Sequence, residues 1–471
     1  GVGGSSPPSC TKKMAKEKKL KPELASGFID RNGNELILKD RLIEIIKQNF
    51  QLYGFEPLET PGFEISENIG KFLPDEDRPM SGVFGFKDKK EWMSLRYDLT
   101  APLARYVAEN FENLPKPFKR YQVGSVWRNE KPGPGRYREF TQIDADIVGT
   151  KNLNADAEMC ILVADTLVKC GLKKDEFIIK INNRKIFQGI LDAFNITDPK
   201  QSLTVLRSID KFQSVGKKGV LELLQKGRMD SSGDFTLGAK LKEDTANEIY
   251  ELFRPGSIIK EKGKYRITGS KTIYKIENKL YSDGIKELGE ILNYLENVGE
   301  FNIANTDLQR KPDKINIELD FSVVRGLEYY TGPVFEIETA ETSFWKEEDV
   351  SKKAYKKIKI GSIGGGGRYD SLVSRFTNQD CPATGISIGL DRLLLVLKDK
   401  IKEEINYNPV IICVFDNKNI SKYNKLLQKL RSAKINSEIY LGDGSLKSQL
   451  KYADKRNSPA AILYGDDEIK S

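Results

Sequence analysis

Histidine is missing from all 471 residues. That gap alone removes Ser–His and Cys–His nucleophile activation, and every histidine-ligated metal, from the chemistries open to the chain. Cysteine is scarce: Cys10, Cys160, Cys170, Cys381 and Cys413 are scattered, with no C-x-x-C pair. The pattern argues against a zinc site and fits a reduced, cytoplasmic setting. No apolar run approaches the roughly 18–20 residues that span a bilayer, so no membrane partner is expected. The opening stretch, "GVGGSSPPSCTKKMAKEKKLK", lacks the apolar centre of a secretory signal. Residues 1–24 are expected to be a disordered leader or an added segment, with Met14 inside it. No G-x-x-x-x-G-K-S/T phosphate loop occurs, and the run Gly364–Gly367 does not fit G-x-G-x-x-G.

What remains describes a globular protein, 39% hydrophobic and 31% charged. Its length exceeds what one core accommodates, so two or three domains are expected. The net charge of +8, from 76 basic and 68 acidic side chains, is mild. It permits an acidic partner such as RNA without requiring one.

Along the chain, "KDRLIEIIKQNFQLYGFEPLETPGFE" spaces Ile43, Ile46, Phe50 and Tyr53 as an amphipathic helix that Gly54 ends. Pro57 and Pro61 mark the strand that follows as an edge or interface. "EWMSLRYDLTAPLARYVAEN" reads as a strand and then a helix, with Thr100 as its expected N-cap and Pro102 in the first turn. "RYQVGSVWRNE" and "RYREFTQIDADIVG" are two strands joined by "KPGPG", an antiparallel hairpin. Alternation puts Ile143, Ala145 and Ile147 on one face. Arg136, Arg138, Phe140, Gln142, Asp144 and Asp146 fall on the other, joined there by Arg128 and Glu130. Lysine is absent from the strand halves that flank the tip, and arginine binds planar anions bidentately, so this face suits phosphate.

Residues 196–310 read as helical and charged, an inserted module. "INIELDFSVVRGLEYYTGPVFEIETA" supplies two apolar strands with Arg325, Tyr329 and Tyr330 between them. "KIGSIGGGGRYDSLV" reads as a strand running into a glycine turn, and "TGISIGLDRLLLVL" as a strand running into a helix, with Arg392 at the junction. Arg128, Arg325 and Arg392 each sit in apolar surroundings, where an unpaired cation is costly. Either each has a structural carboxylate, or all three share an anionic ligand. After a Lys/Glu linker, strands and helices alternate from about residue 406, as a parallel α/β unit does.

These segments together resemble the class II aminoacyl-tRNA synthetases. The hairpin is similar to their motif 2, "TGISIGLDRLLLVL" to motif 3, and the helix–strand ending at Pro61 to the dimer-forming motif 1. "RGLEYYTGPVFE", "GGGGRYD" and "LRYDLTAP" are similar to segments of the histidyl-tRNA synthetase family. The likeness runs from about residue 25 to the end. It implies an α+β catalytic domain with an antiparallel sheet, in two parts at 25–195 and 311–400. The insertion at 196–310 would interrupt it, and an anticodon-binding α/β domain with a parallel or mixed sheet would follow at 406–471.

The resemblance also implies an activity: ATP-dependent ligation of L-histidine to tRNA(His) through a histidyl-adenylate, by a homodimer. Magnesium would come with ATP, and no metal would be held by the protein. Arg128 would hold the α-phosphate and the histidine carboxylate, and Arg392 the γ-phosphate, with Glu130, Arg136 and Phe140 placing the nucleotide. Asp98, Leu99, Thr100 and Gln142 would receive the amino acid. Asp146, Tyr329 and Tyr330 would line the ring pocket, and Arg325 would act over the reacting groups. Arg128, Arg325 and Gln142 are thus the implied catalytic set, while Arg136 and Arg138 would face the tRNA acceptor end. The "KPGPG" tip departs from the bulkier loop of many relatives, and Asn129 and Thr141 stand where the family often has histidine. The last domain is expected to stop short of its final strand after Ser471.

A histidine-sensing regulatory paralogue and a synthetase for another amino acid are the competing readings. The first need not keep the ATP arginines, and the "RGLEYY" segment argues against the second. With no histidine in the chain, a titration near pH 6.5 is expected to belong mainly to a ligand's own ring.

Overall fold

In the computed structural model the described residues are 21–70, 82–133, 135–229, 233–253, 258–261, 264–267, 276–304, 309–323, 329–339, 343–349, 354–359, 361–398, 400 and 408–465. Helix Asn34–Leu52 buries Leu38, Leu42, Ile46 and Phe50, every fourth residue along one stripe. Ile43 and Tyr53 lie at its margin, packed against the core without being fully buried. The stripe is therefore centred on Leu42 and Ile46, with Ile43 and Tyr53 at its edge.

That helix covers one face of a nine-stranded sheet. In spatial order the strands are Glu56–Pro57, Phe118–Trp127, Glu139–Val148, Ala383–Gly389, Gly364–Arg368, Pro333–Thr339, Phe177–Asn183, Ile315–Leu319 and Phe301–Ala304. The six central strands pair antiparallel, while Glu56–Pro57 at one end and two strands at the other pair parallel. Ile143, Ala145 and Ile147 point into the core with Ile46, Leu162, Leu292 and Leu393 from the covering helices. The opposite face of the same strands is polar.

The glycines at 364–367 correct one expectation. They form the strand Gly364–Arg368 in the middle of the sheet and not a turn after a strand. The reason is space. A Cβ on Gly366 would fall 1.9 Å from the Gly385 carbonyl oxygen of the neighbouring strand. Thr100 corrects another: it is the first helical residue of Thr100–Glu109, and the Asp98 carboxylate caps that helix by accepting from the Thr100 and Ala101 amides at 3.2 and 2.9 Å.

The stretch 196–310 is not wholly helical. It holds helices Pro199–Asp210, Phe212–Leu224 and Glu243–Leu252, with short antiparallel strand pairs at Gly227–Met229/Phe235–Leu237 and Ile258–Glu261/Lys264–Ile267. Its end rejoins the main layer. Helix Lys279–Val298 packs on Arg184–Ala193, and Phe301–Ala304 forms an edge of the large sheet. Beyond the linker, three parallel strands in the order Ser437–Ile439, Val410–Cys413, Ala461–Leu463 pack on two helices around Ile412, Tyr423 and Leu427. Among the described residues no helix is long and apolar enough to cross a membrane.

The close approach at Gly366 gives a stability test. Gly366→Ala is expected to cost about 2–3 kcal/mol or more by overpacking the sheet centre. Gly133→Ala, where a Cβ meets nothing within 4 Å, should change stability by less than about 0.5 kcal/mol. Thermal unfolding of both variants checks the contrast.

Candidate active site

A cavity of about 470 Å³ opens on the polar face of the sheet. Strand alternation explains its contents. Phe140, Gln142, Asp144 and Asp146 come from one hairpin strand, and Arg128 and Glu130 follow its partner. The turn before helix Thr100–Glu109 adds Tyr97 and Asp98, and the segment before Pro333–Thr339 adds Tyr329 and Tyr330. Gly364, Gly365 and Gly366 of the glycine strand form part of the wall.

Arg128 is held by neutral groups among the described residues. Its Nε donates to the Tyr97 carbonyl at 3.2 Å, and its Nη2 donates to Gln142 Oε1 at 3.4 Å. The guanidinium lies 4.4 Å from the Tyr97 ring centroid and 5.0 Å from that of Phe140. Two rings thus orient the cation; Asp98 and Glu130 feel its charge without hydrogen-bonding it, so its donors still face an anion in the cavity. Arg392 donates from Nη1 to the Ser362 carbonyl, at the rim of the same cavity. Asp391, one residue earlier, is committed to structure: it accepts from the Thr141 amide at 2.8 Å and pairs with Arg31.

Glu130 accepts from the Tyr97 hydroxyl at 2.6 Å and pairs with Arg136. Burial alone would raise its pKa, but the Tyr97 hydroxyl, Arg136 and Arg128 together hold it below the ordinary carboxyl value. Arg138 donates from Nε to the Glu130 carbonyl and from its own amide to Gly27, so it braces the hairpin base.

The floor is acidic and buried. Asp98, Asp144 and Asp146 are all buried. Asp144 accepts from Gln142 Nε2 at 3.1 Å and from the Ser387 hydroxyl at 2.5 Å. Asp146 accepts from the Tyr369 hydroxyl, and its other oxygen lies 2.8 Å from Arg120 Nη2. Burial pushes Asp144 up to about 7, helped by the charge on Asp146 and opposed by Arg120. Burial likewise raises Asp98 and Asp146 above the ordinary value. The expectation that a titration near neutrality belongs mainly to a ligand's ring thereby gains a second candidate, because burial pushes Asp144 into the same range.

The cavity brings together Asp98, Thr100, Arg128, Glu130, Arg136, Phe140, Gln142, Asp146, Tyr329, Tyr330 and Arg392. Leu99 does not line it; its side chain is buried beneath and its carbonyl accepts from Arg120. Arg325 lies outside the described residues. Sequence reasoning missed Tyr97, Arg120, Tyr369 and Ser387 as site groups. Parity would have found Arg120, two residues before Gln122 and four before Gly124 on the same strand face. Arg207 and Asp210 of helix Pro199–Asp210 also reach the cavity, and nothing in their local sequence signals it. Among the described residues no cluster of three or more Cys, Asp or Glu could hold a metal ion.

Comparison with known proteins places this geometry. The histidyl-tRNA synthetase family model matches residues 27–230 and 268–393, and an anticodon binding domain model matches 409–471. A histidine–tRNA ligase of Brucella suis is 44% identical over 466 residues, covering 96% of this chain and 87% of that protein. The ligase of Bartonella henselae is 46% identical over 468 residues, covering 97% and 89%. The crystal structure of histidyl-tRNA synthetase from a Nostoc species superposes with a TM-score of 0.66 at 26% identity, covering 96% of this chain and 93% of that one.

The buried carboxylates give a pH test. Asp144 has a folded pKa of about 7 against an ordinary 3.8. The native state therefore binds more protons than the unfolded chain between roughly pH 4 and 7. This group's contribution to stability falls as pH rises through that window and is level above it. Asp144→Asn should flatten the dependence, so the Tm difference between pH 5 and pH 8 shrinks relative to the parent. Calorimetric scans at the two pH values measure it.

Proposed function

The chain belongs to the histidyl-tRNA synthetase family, and we propose how its cavity residues divide the work. The reaction is ATP-dependent: L-histidine is joined to its tRNA through a histidyl-adenylate, with release of AMP and diphosphate. The single observation that carries the division of labour is Arg128, a cation oriented by two rings and by neutral acceptors on the cavity wall. There it would grip the histidine carboxylate and the α-phosphate of ATP. Arg392 would hold the γ-phosphate, and Glu130 and Phe140, with Arg136, the rest of the nucleotide.

No protein nucleophile is needed. The histidine carboxylate attacks the α-phosphorus in line, diphosphate leaves, and Arg128 with Arg325 stabilises the charge that builds on the phosphate oxygens. Magnesium enters as part of the ATP substrate, bound by its phosphates. The α-amino group would meet Asp98, Thr100 and Gln142, while Asp146, Tyr329 and Tyr330 would surround the imidazole. A hydroxyl of the terminal tRNA ribose then attacks the adenylate carbonyl, and AMP leaves. The C-terminal unit, which carries lysines on both its helices, would bind the anticodon end. The setting proposed is the cytoplasm.

A homodimer is part of the same proposal. The small sheet of Phe63–Ile65, Gly85–Asp88 and Glu91–Leu95 exposes Phe63, Ile65, Phe86 and Trp92, with the Phe63 and Phe86 rings edge to face at 5.4 Å. Such an exposed apolar patch supports an interface between two copies.

Two measurements test these readings. ATP–pyrophosphate exchange with each of the twenty amino acids should proceed with histidine alone. In Arg128→Lys, which keeps charge but loses the planar fork, its kcat should fall about 100-fold or more. An Arg128→Lys enzyme of near-normal rate would overturn the assignment. For the dimer, Phe63→Glu/Trp92→Glu should shift light scattering from two chains to one; a parent that already scatters as a single chain refutes it.

A further inference from the structure

Arg120 has no exposed surface, yet two of its three guanidinium nitrogens, Nε and Nη1, lack a hydrogen-bond partner. A charge placed there is costly, and an apolar side chain of similar size would fill the volume at less cost. Its third nitrogen, Nη2, donates to the Leu99 carbonyl at 2.9 Å and lies 2.8 Å from Asp146 Oδ2 as an ion pair, so that oxygen has charge beside it but no hydrogen-bond donor among the described residues. Arg120 itself does not line the cavity, but Asp146 does, and so does Asp98, next to Leu99. The Asp146 carboxylate is confined on its other sides too. The Tyr369 hydroxyl donates to Oδ1, and a Cβ on Gly385 of the adjacent strand would fall 2.0 Å from that oxygen. The two neighbouring strands, carrying Arg120 and Gly385, and the residue after the glycine strand thus enclose this carboxylate.

We propose that Arg120 is the positioning residue for amino-acid recognition. It locks Asp146 as a fixed acceptor for a ring N–H, and through the Leu99 carbonyl it holds the Asp98 turn that receives the α-amino group. This deepens the histidine reading above and rests on it. A fixed buried acceptor discriminates strongly, because a ring without an N–H leaves it unpaired. A loosened one would discriminate weakly.

The experiment uses the full-length protein in ATP–pyrophosphate exchange, with histidine and with thiazolylalanine, an analogue whose ring nitrogen carries no hydrogen. Arg120→Met should raise the KM for histidine about 10- to 100-fold, the range lost when a charged hydrogen-bonding partner is removed. The KM for ATP should change by less than about threefold, and the preference for histidine over thiazolylalanine should narrow by a similar factor to the histidine KM. A purely structural Arg120 would instead lower thermal stability and leave the preference alone. If Arg120→Met does not fold, Arg120→Lys decides: its one ammonium can serve Asp146 or Leu99 but not both in the same geometry. About a tenfold rise in histidine KM alone then supports the proposal. An unchanged histidine KM and preference, or parallel rises for ATP and histidine, overturn it. Parent protein that shows no histidine-dependent exchange would refute the functional reading itself, a different result from an insensitive Arg120.

Discussion

The ion pair between Arg120 and Asp146 joins the second and third strands of the sheet, beneath the cavity that Asp146 lines. Adjacent antiparallel strands place the two residues directly opposite each other, so one charge cannot be moved without the other. The same cation also acts on Asp144 and, after the Ala101 amide, Arg128 and the Thr100 amide, on Asp98. Without Arg120 the floor would hold three buried carboxylates with Arg128 acting only on Asp98 among them, and protonation would be the cheapest response for Asp144 and Asp146. The acidic floor is therefore an arrangement that the sheet register imposes and that Arg120 and the surrounding donors make tolerable.

Above that floor the electrostatics reverse. Arg128 is gripped by rings and by neutral oxygens, Arg392 by a backbone carbonyl, and Glu130 is already satisfied by Tyr97 and Arg136. A zwitterion entering such a site would turn its ammonium and ring toward the carboxylates and its own carboxylate toward the cations. Adenylation needs the carboxylate and the α-phosphate brought together between fixed positive charges, and the proposed roles use that gradient directly. A chain without histidine can do this chemistry because the attacking group belongs to the substrate.

Glycine gives the cavity its wall. Gly364, Gly366 and Gly385 face neighbouring strands at distances no side chain permits, so the centre of the sheet stays thin where a ligand must lie. Helix Pro199–Asp210 reaches the same opening from the inserted stretch, bringing Arg207 and Asp210 to its edge. The insertion is thereby joined to the catalytic layer through a shared core that includes Leu206, Ile209 and Leu292.

Much of this was legible in the residues. The hairpin, its charged face, the apolar face of Ile143, Ala145 and Ile147, and the α/β unit at the C-terminus follow from periods of two and 3.6, which are local properties of the chain. Local pattern could not show that Gly364–Gly367 is a central strand, because glycine has no side chain with which to declare a face. It could not show that Asp98 and not Thr100 caps its helix, since both are good caps and only the backbone path chooses. Nor could it show that Asp391 is taken up by Arg31 from 360 residues away. Sequence by itself determined which side chains share a face. Tertiary structure decided which carboxylates lie next to which cations, because burial and register between distant strands set those distances and the short-range pattern does not contain them.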